Sequence, residues 1–196
     1  MKSNFFSKMR VMFLLLAVLS AGTIVNAQTL KIKSSTFTIS GTTNVHPFKS
    51  KSTTATGQMT VADNKVTAMN IDVPVKSILS GEKLMDKKTY ETFDDAKNPT
   101  ISFKMTEVNS VQVNGSEITA SVGGTLSMGG ASKKVIVKAN GKEVKPGTYT
   151  FTGSMPLKMS DYKMKAPTAM LGAMKVGDLV TVNYTVTFEG SAVSFE

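Results

Sequence analysis

The stretch TYTFTGSMPLKM at residues 148–159 alternates between apolar and polar side chains. One face carries Tyr149, Phe151, Met155 and Leu157, whereas the positions between them carry mainly threonine, serine and lysine. Successive side chains of a strand point to opposite faces of a sheet, so this pattern predicts a strand with one buried and one solvated face. Half-buried strands of this kind are typical of antiparallel sheets. The stretch therefore predicts an antiparallel β protein.

The same alternation recurs along the chain, and turn signals separate the alternating runs. Asn114-Gly115 and Asn140-Gly141 are typical of two-residue hairpin turns, because both central residues of a type I′ turn have positive φ. Most junctions are short, so strands that follow one another in sequence are predicted to pair as a meander. The predicted strands number about eight and cover roughly 30–43, 51–62, 66–76, 100–113, 116–128, 133–144, 148–159 and 178–189.

Two connections are longer than the others. Within residues 77–99, the spacing of Leu84, Met85, Tyr90 and Phe93 places them on one helical face, which predicts a short helix near 85–94. The second connection, residues 160–177, is apolar but has no clean period.

Eight antiparallel strands in sequential order close most easily into a barrel, because closure leaves no exposed edges. Such a barrel is just wide enough to be filled by side chains or to hold one small ligand. Ten of the 13 methionines follow residue 27, many on the predicted inward faces, and methionine suits a variable apolar partner. The predicted fold is all-β, an eight-stranded antiparallel meander barrel with one short helix and an apolar lumen. A filled core and a two-sheet sandwich remain alternatives.

The amino terminus predicts export. Residues 1–10 hold three positive charges, residues 11–19 are unbroken apolar, and small or polar residues follow up to Ala27. This order is typical of a secretory signal peptide, so we predict a cleaved segment 1–27 and a barrel domain 28–196. An uncleaved anchor is the alternative, but polar residues interrupt the stretch before the roughly 20 apolar residues that a span needs. The expected location is periplasmic or secreted, with no transmembrane span after cleavage.

Composition excludes several classes of function. There is no cysteine, and His46 is the single histidine, so thiolate chemistry and sites built on two imidazoles are excluded, and we expect no metal site. The net charge is +9, but every basic residue after Arg10 is lysine and tryptophan is absent. Nucleic-acid readers rely on arginine, so no nucleic-acid partner is expected. The lysines are better interpreted as a solvated, mildly cationic surface, which is also compatible with anionic lipid headgroups.

Catalytic motifs are absent from the sequence. It contains neither the Gly-x-Ser-x-Gly elbow nor the His-Glu-x-x-His motif. Residues 124–129 have the glycine spacing of a phosphate-binding loop, but Gly130 stands where lysine is required. The carboxylates near the predicted helix alternate with lysines, which is typical of a solvated face. We therefore predict no catalytic residues and no enzyme activity, with His46 as a structural residue or a polar contact to a ligand head.

Several blocks, in order and spacing, resemble the YceI-like family of polyisoprenoid-binding, lipocalin-like proteins. Together they cover roughly residues 32–189. The blocks are GTTNVHPF at 41–48, VPVKSILSG at 73–81, MDKKTYETF at 85–93, KNPTISF at 97–103, GTLSMGGASKK at 124–134, KMSDY at 158–162 and PTAMLGAMKVGD at 167–178.

The resemblance implies an exported bacterial protein whose barrel holds a long isoprenoid or similar apolar lipid, for transport, storage or protection. It implies no catalytic residues and no cofactor other than the bound lipid, and it is compatible with a homodimer. Apolar inward side chains would line the lumen, and polar groups would meet the head at the mouth. The predicted ligand-binding residues are Phe37, Ile39, Asn44, His46, Phe48, Met59, Met69, Ile71, Val73, Tyr90, Phe93, Ile101, Phe103, Met105, Phe151, Met155, Leu157, Met159, Met170, Met174, Val182 and Tyr184.

Two hypotheses of other classes stay open at this point. A lipocalin-like enzyme acting on a bound apolar substrate would need a buried general acid or base, for which Tyr162, Asp161 and His46 are the candidates. A structural or adhesion domain would have the same strands around a filled core.

Overall fold

The computed structural model describes residues 27–195, apart from the side chains of Ala169 and Met170. The predicted secretory segment therefore lies outside the described residues, except for Ala27. The strands are β1 (Gln28–Thr43), β2 (Pro47–Ser52), β3 (Thr56–Ala62), β4 (Lys65–Pro74), β5 (Thr100–Asn114), β6 (Glu117–Met128), β7 (Ala131–Lys145), β8 (Thr148–Lys158), β9 (Thr168–Ala169) and β10 (Met174–Glu189). The helix α1 spans Lys83–Phe93, close to its predicted position. Short 3₁₀ turns cover Val75–Ser77, Met159–Tyr162 and Met170–Gly172.

The strands close into an eight-stranded antiparallel barrel, as the alternation predicts. From β3 to β8, each strand pairs with the next one in sequence, and β8 pairs with β10. The long β1 closes the barrel, because one of its edges pairs with β10 and the other with β2 and β3. β2 and β3 together therefore occupy one strand position, and the two-residue β9 extends the sheet beside the start of β10.

The structure corrects three local predictions. The strand expected at 51–62 is divided at residues 53–55, because β2 pairs with residues 37–42 of β1 and β3 pairs with residues 28–31. β10 begins at Met174 rather than near 178, since its first residues pair with β9. Asn140-Gly141 is not a turn but lies inside β7, paired on both sides, and the hairpin turns at 146–147 instead.

One end of the barrel is filled with side chains. We call it the closed end; there the chain reverses at residues 63–64, 115–116 and 146–147. The buried core at this end consists of Leu30, Met59, Val61, Ile118, Tyr149, Val186, Phe188 and Phe195. Tyr149 Oη donates to the Val193 carbonyl at 2.6 Å and accepts from the Val193 N–H at 2.9 Å. The Tyr149 ring also meets Phe195 edge-on, at 5.1 Å between centroids, so the carboxyl-terminal segment seals this end.

The opposite end, which we call the open end, carries the long connections. The turn 44–46, the connection 75–99 that contains α1, and the connection 159–173 all lie there. Tyr90 holds α1 in place, because its hydroxyl donates to the carbonyls of Lys76 and Ile78 at 3.2 and 3.3 Å. At the other end of the helix, Asp94 adopts left-handed backbone angles and its N–H bonds to the Tyr90 and Glu91 carbonyls, which ends α1.

Candidate lipid-binding cavity

A cavity of about 740 Å³ occupies the open half of the barrel. Its floor includes Val186, which also belongs to the core of the closed end, and Phe37, which packs against that core. The wall is mostly aliphatic, aromatic and methionine side chains from every strand of the barrel except β3. This volume lies in the range of ligand sites in proteins, about 300–1,000 Å³. The barrel is therefore filled at the closed end and contains a cavity at the open end.

Sixteen of the 22 residues predicted to bind the ligand line this cavity. They come from β1, β2, β4, β5, β8 and β10, and from α1 and the neighbouring connections. These residues are Phe37, Ile39, His46, Phe48, Met69, Ile71, Val73, Phe93, Ile101, Phe103, Met155, Leu157, Met159, Met174, Val182 and Tyr184.

Five of the other predicted residues lie outside the cavity, and the Met170 side chain is not described. Met59 and Phe151 belong to the packing of the closed end. Met105 packs beside Phe103 in the cluster along β5 and β6. Asn44 is exposed, accepting from the Lys175 N–H and donating to the Ala173 carbonyl, and Tyr90 anchors α1 as described above.

The cavity also has lining residues that the sequence reasoning missed. The apolar ones include Ile78, Met85, Leu126, Met128, Val137, Met164, Val176 and Val180. Strand alternation could have identified Val180, which has the same parity as Val182 and Tyr184. The glycine-rich run before Leu126 obscured the alternation of β6, and the residues from connections carry no period at all.

Aromatic rings pack closely against glycines on the adjacent strand. A Cβ added to Gly41 would stand 2.6 Å from the Phe48 ring, and one added to Gly141 would stand 2.5 Å from the Phe151 ring. Gly124 faces Phe103 in the same way, and Gly153 faces Tyr184. Because three of these four rings, Phe48, Phe103 and Tyr184, line the cavity, the missing side chains of their glycines leave room for the rings against the wall. The glycines thus keep the lumen open.

We expect Gly153→Ala to narrow the cavity. Tyr184 Oη donates to the Lys138 carbonyl at 2.7 Å by passing over Gly153. An added methyl group would stand 2.5 Å from both Tyr184 Cζ and the Lys138 carbonyl oxygen, so the ring and the neighbouring strand would both have to shift. Overpacking of this kind destabilises proteins by about 1–3 kcal/mol, measurable by chemical denaturation. Tyr184→Phe is the control, because it removes only the hydrogen bond and should cost about 1 kcal/mol. Equal effects of both variants on apolar-ligand uptake would show that the ring position does not control the lumen.

The mouth of the cavity is polar and braced by hydrogen bonds. Thr43 Oγ1 accepts from the N–H groups of Val45 and His46 and donates to the His46 carbonyl, which fixes the turn beside the opening. His46 Nδ1 lies 3.0 Å from the Pro47 carbonyl oxygen, so this imidazole is held at the rim. The charged groups that line the mouth are Lys49, Glu82, Lys88 and Lys158.

Asp178 fixes the start of the connection that follows β8. Its carboxylate accepts from Ser160 Oγ at 2.6 Å and from the Ser160 N–H at 2.7 Å. These two bonds, the hydroxyl bond foremost, hold the pKa of Asp178 below its ordinary value. The pKa is lower in the folded than in the unfolded chain, so the bonds stabilise the fold above the ordinary aspartate pKa. That stability is lost as the pH falls through the folded pKa.

We therefore expect the turn at Met159–Tyr162 to loosen under acid. Hydrogen exchange of its amides, corrected for the intrinsic rate, should accelerate as the pH falls below about 4. Asp178→Asn should show faster exchange at neutral pH and little further change with acid. If wild type and variant shared one pH profile, Asp178 would not be the group that holds this turn.

The three candidate catalytic residues do not form one site. Tyr162 is buried in the cluster with Phe103 and Met128, where its hydroxyl has no hydrogen-bond partner and burial raises its pKa. Asp161 is exposed and paired with Lys133 at 2.7 Å. Only His46 lines the cavity. Within residues 27–195, no group of three histidine, aspartate or glutamate side chains could hold a metal ion, and no helix is long and apolar enough to cross a membrane.

A closed antiparallel barrel with one sealed end and an apolar cavity at the other has the architecture of the lipocalin-like class. The sequence then places the chain within that class. Residues 24–188 match the profile of the YceI-like domain, and the chain belongs to the YceI-like family, which is a family of binding proteins.

Solved structures share the fold at low sequence identity. BcnA from Burkholderia cenocepacia is 18% identical with a TM-score of 0.59, covering 77% of this chain and 95% of that chain. A polyisoprenoid-binding domain from Saccharophagus degradans is 12% identical with a TM-score of 0.66, covering 85% and 99%. A YceI protein from Campylobacter jejuni is 18% identical with a TM-score of 0.53, covering 70% and 81%. None of the curated proteins compared with the chain matches it.

Proposed function

We propose that this protein is an exported lipid-binding protein that holds a long isoprenoid or similar apolar chain in the cavity, for transport, storage or protection. The single observation that carries the proposal is the apolar cavity of about 740 Å³ above a filled closed end. Membership of the YceI-like family and the fold shared with a polyisoprenoid-binding domain support it.

The cavity suits a ligand that needs few directional contacts. Burying one methylene stabilises a complex by about 0.8 kcal/mol, so a chain of many methylene groups gains affinity without specific hydrogen bonds. Methionine is prominent among the lining residues and adapts to irregular apolar shapes. The polar mouth, with His46, Lys49 and Lys158, would meet a head group.

The bound chain can be sought by native mass spectrometry of protein purified from a bacterium that exports it. We expect an added mass that organic extraction removes and that a polyprenol restores. Val182→Trp fills the lumen and should prevent uptake, whereas Asn183→Trp, on the outward face of the same strand, should not. An empty chain that takes up no polyprenol would contradict the proposal and favour a structural barrel.

Mass spectra of the same preparation also test export and the number of chains in the assembly. A chain that begins at Gln28 and is recovered from the periplasm or the medium would support export. The mass of the intact assembly counts the chains, which tests the homodimer that the family resemblance suggests. A chain that retains residues 1–27 and stays in the cell would contradict export.

A further inference from the structure

Three large apolar side chains project into solvent around the mouth of the cavity. Val45 is 65% exposed, Leu84 is 61% exposed, and Leu171 is fully exposed at 110%. We call these three residues the apolar rim. Single exposed apolar side chains are ordinary on protein surfaces, so the feature that sets these three apart is their shared position around the opening of the cavity.

The rim residues sit in three different segments that border the opening. Val45 lies between Thr43 and His46, which both line the cavity. Leu84 lines the cavity itself at the start of α1. Leu171 has left-handed backbone angles (φ 55°) between the lining residues Thr168 and Met174.

Hydrogen bonds tie two of these segments together. The N–H of Asn44 donates to the Lys175 carbonyl at 3.1 Å, and the Asn44 side chain bonds to Ala173 and Lys175. The turn that carries Val45 is therefore fixed beside the segment that carries Leu171.

The segment that carries Leu171 is cationic. Residues 158–175 contain four lysines and one acidic residue, Asp161, which is already paired with Lys133. Within the part of the chain that the structure describes, Lys163, Lys165 and Lys175 are exposed and form no ion pair. We call these three residues the rim lysines.

The closed end also carries exposed apolar side chains, Val113 and Val144, but neither lies beside an opening to the cavity. Its core is covered by the carboxyl-terminal segment through Val193 and Phe195. Of its basic residues, Lys33 and Lys145 share the carboxylate of Glu189, whereas Lys31, Lys65 and Lys142 are exposed and form no ion pair among the described residues. What distinguishes the open end is that its exposed apolar side chains border the opening through which a ligand would enter, with three unpaired lysines on or beside one of their segments.

We propose that the open end docks on an anionic lipid bilayer, with the apolar rim in the headgroup region and the rim lysines on the lipid phosphates. This inference rests on the proposed function, because it describes how the cavity would meet its ligand. An apolar chain could then pass from the bilayer into the cavity without exposing its methylene groups to water.

A bilayer fits these residues better than a protein partner does. The three apolar side chains stand singly on separate segments, whereas the core of a protein interface is a continuous, closely packed patch. Peripheral membrane segments insert their apolar side chains at the boundary between the headgroups and the acyl chains of a bilayer. Because the bilayer is fluid, single apolar side chains on separate segments can insert there in the same way. Lysine is a compact, strongly hydrated charge, and polybasic surfaces near a membrane gain about 1 kcal/mol per residue from anionic lipids.

The absence of tryptophan permits a direct test of insertion. Leu84→Trp and Leu171→Trp each place one fluorophore on the rim, and Val144→Trp places it on an exposed site of β7 near the closed end. With vesicles of phosphatidylglycerol and brominated phosphatidylcholine, we expect a blue shift and quenching at 84 and 171 but not at 144. The three proteins share the same amino terminus, so that segment cannot cause the difference.

The charge requirement is tested by vesicle co-sedimentation. Lys163→Gln, Lys165→Gln and Lys175→Gln combined should weaken binding about a hundredfold, at about fivefold per lysine. The control combines Lys31→Gln, Lys65→Gln and Lys142→Gln, which lowers the net charge equally on exposed sites of β1, β4 and β7. Equal losses in the two triple variants would overturn the proposal, because they would reduce the effect to net charge.

Polyprenol uptake from a vesicle-free dispersion separates the two proposals. Uptake by a protein whose rim tryptophans stay in water beside vesicles would overturn docking and leave the proposed function standing. Rim insertion without any polyprenol uptake would overturn the proposed function. A blue shift that occurs without vesicles and grows with protein concentration would show that a second copy covers the rim, and would also overturn docking.

Discussion

Leu30→Ala is expected to lower the free energy of unfolding by about 2–5 kcal/mol, the range for leucine truncation in a packed core. Leu30 is 0% exposed and is surrounded by the side chains of the closed end. Removing three carbons there leaves a hole that neighbouring side chains cannot fill, because the barrel wall holds them in register. Chemical denaturation of the ligand-free protein measures the loss.

Leu157→Ala is the matched control, because it makes the same change on the wall of the cavity. One side of Leu157 already faces the empty cavity, so truncation removes fewer contacts. It should lower the free energy of unfolding by less than half as much as Leu30→Ala does. The same variant should weaken apolar-ligand binding, since the lost contacts are those with the ligand. Similar losses of stability in the two variants would mean that the cavity half is packed as tightly as the closed end.

Strand alternation predicts which side chains point inward, but it does not tell a filled lumen from a hollow one. Met59 and Met69 show the limit, because they face each other directly on β3 and β4 and both point inward. Met59 is buried in the closed-end core, whereas Met69 lines the cavity. The depth at which the packed core ends and the cavity begins depends on side chains from distant strands and from the carboxyl-terminal segment. No local sequence pattern contains that information.

The turn predicted at Asn140-Gly141 is wrong because the chain continues there as a strand of the sheet. Asn140-Gly141 has the residues of a tight turn, yet Gly141 pairs with Ile118 on one side and Phe151 on the other. Continuing the strand satisfies backbone hydrogen bonds on both sides, and the glycine accommodates the Phe151 ring. The glycine is therefore explained by close approach rather than by a turn.

The connections were the least predictable part of the candidate site. The helix followed from its apolar spacing, and the structure places it at Lys83–Phe93. The role of Tyr90 as an anchor of the helix could not be predicted from that spacing. Its hydrogen bonds to the Lys76 and Ile78 carbonyls depend on how the connection folds back. Asn44 was likewise predicted to contact the ligand head group, but its hydrogen bonds join two segments of the rim instead.

Met155→Asp is expected to reduce the affinity for an apolar chain at least a hundredfold near neutral pH, because about 2.7 kcal/mol suffices for that factor and dehydrating a carboxylate costs several kcal/mol. Met155 lines the cavity from β8, opposite Val182 on β10. In the empty cavity water can hydrate the new carboxylate, so the free protein should remain folded. A bound chain would exclude that water, and the loss should therefore be concentrated in binding.

Ser154→Asp is the control, because it places the same charge one residue away on the exposed face of the same strand. It should leave binding of a fluorescent polyprenyl probe almost unchanged. The Met155→Asp variant should also recover affinity as the pH falls toward about 4, since a bound chain raises the pKa of the new carboxyl and the neutral acid is cheaper to bury. If the two variants bound the probe equally well at neutral pH, the side chain at position 155 could not face the ligand, and the cavity would not be where the chain is held.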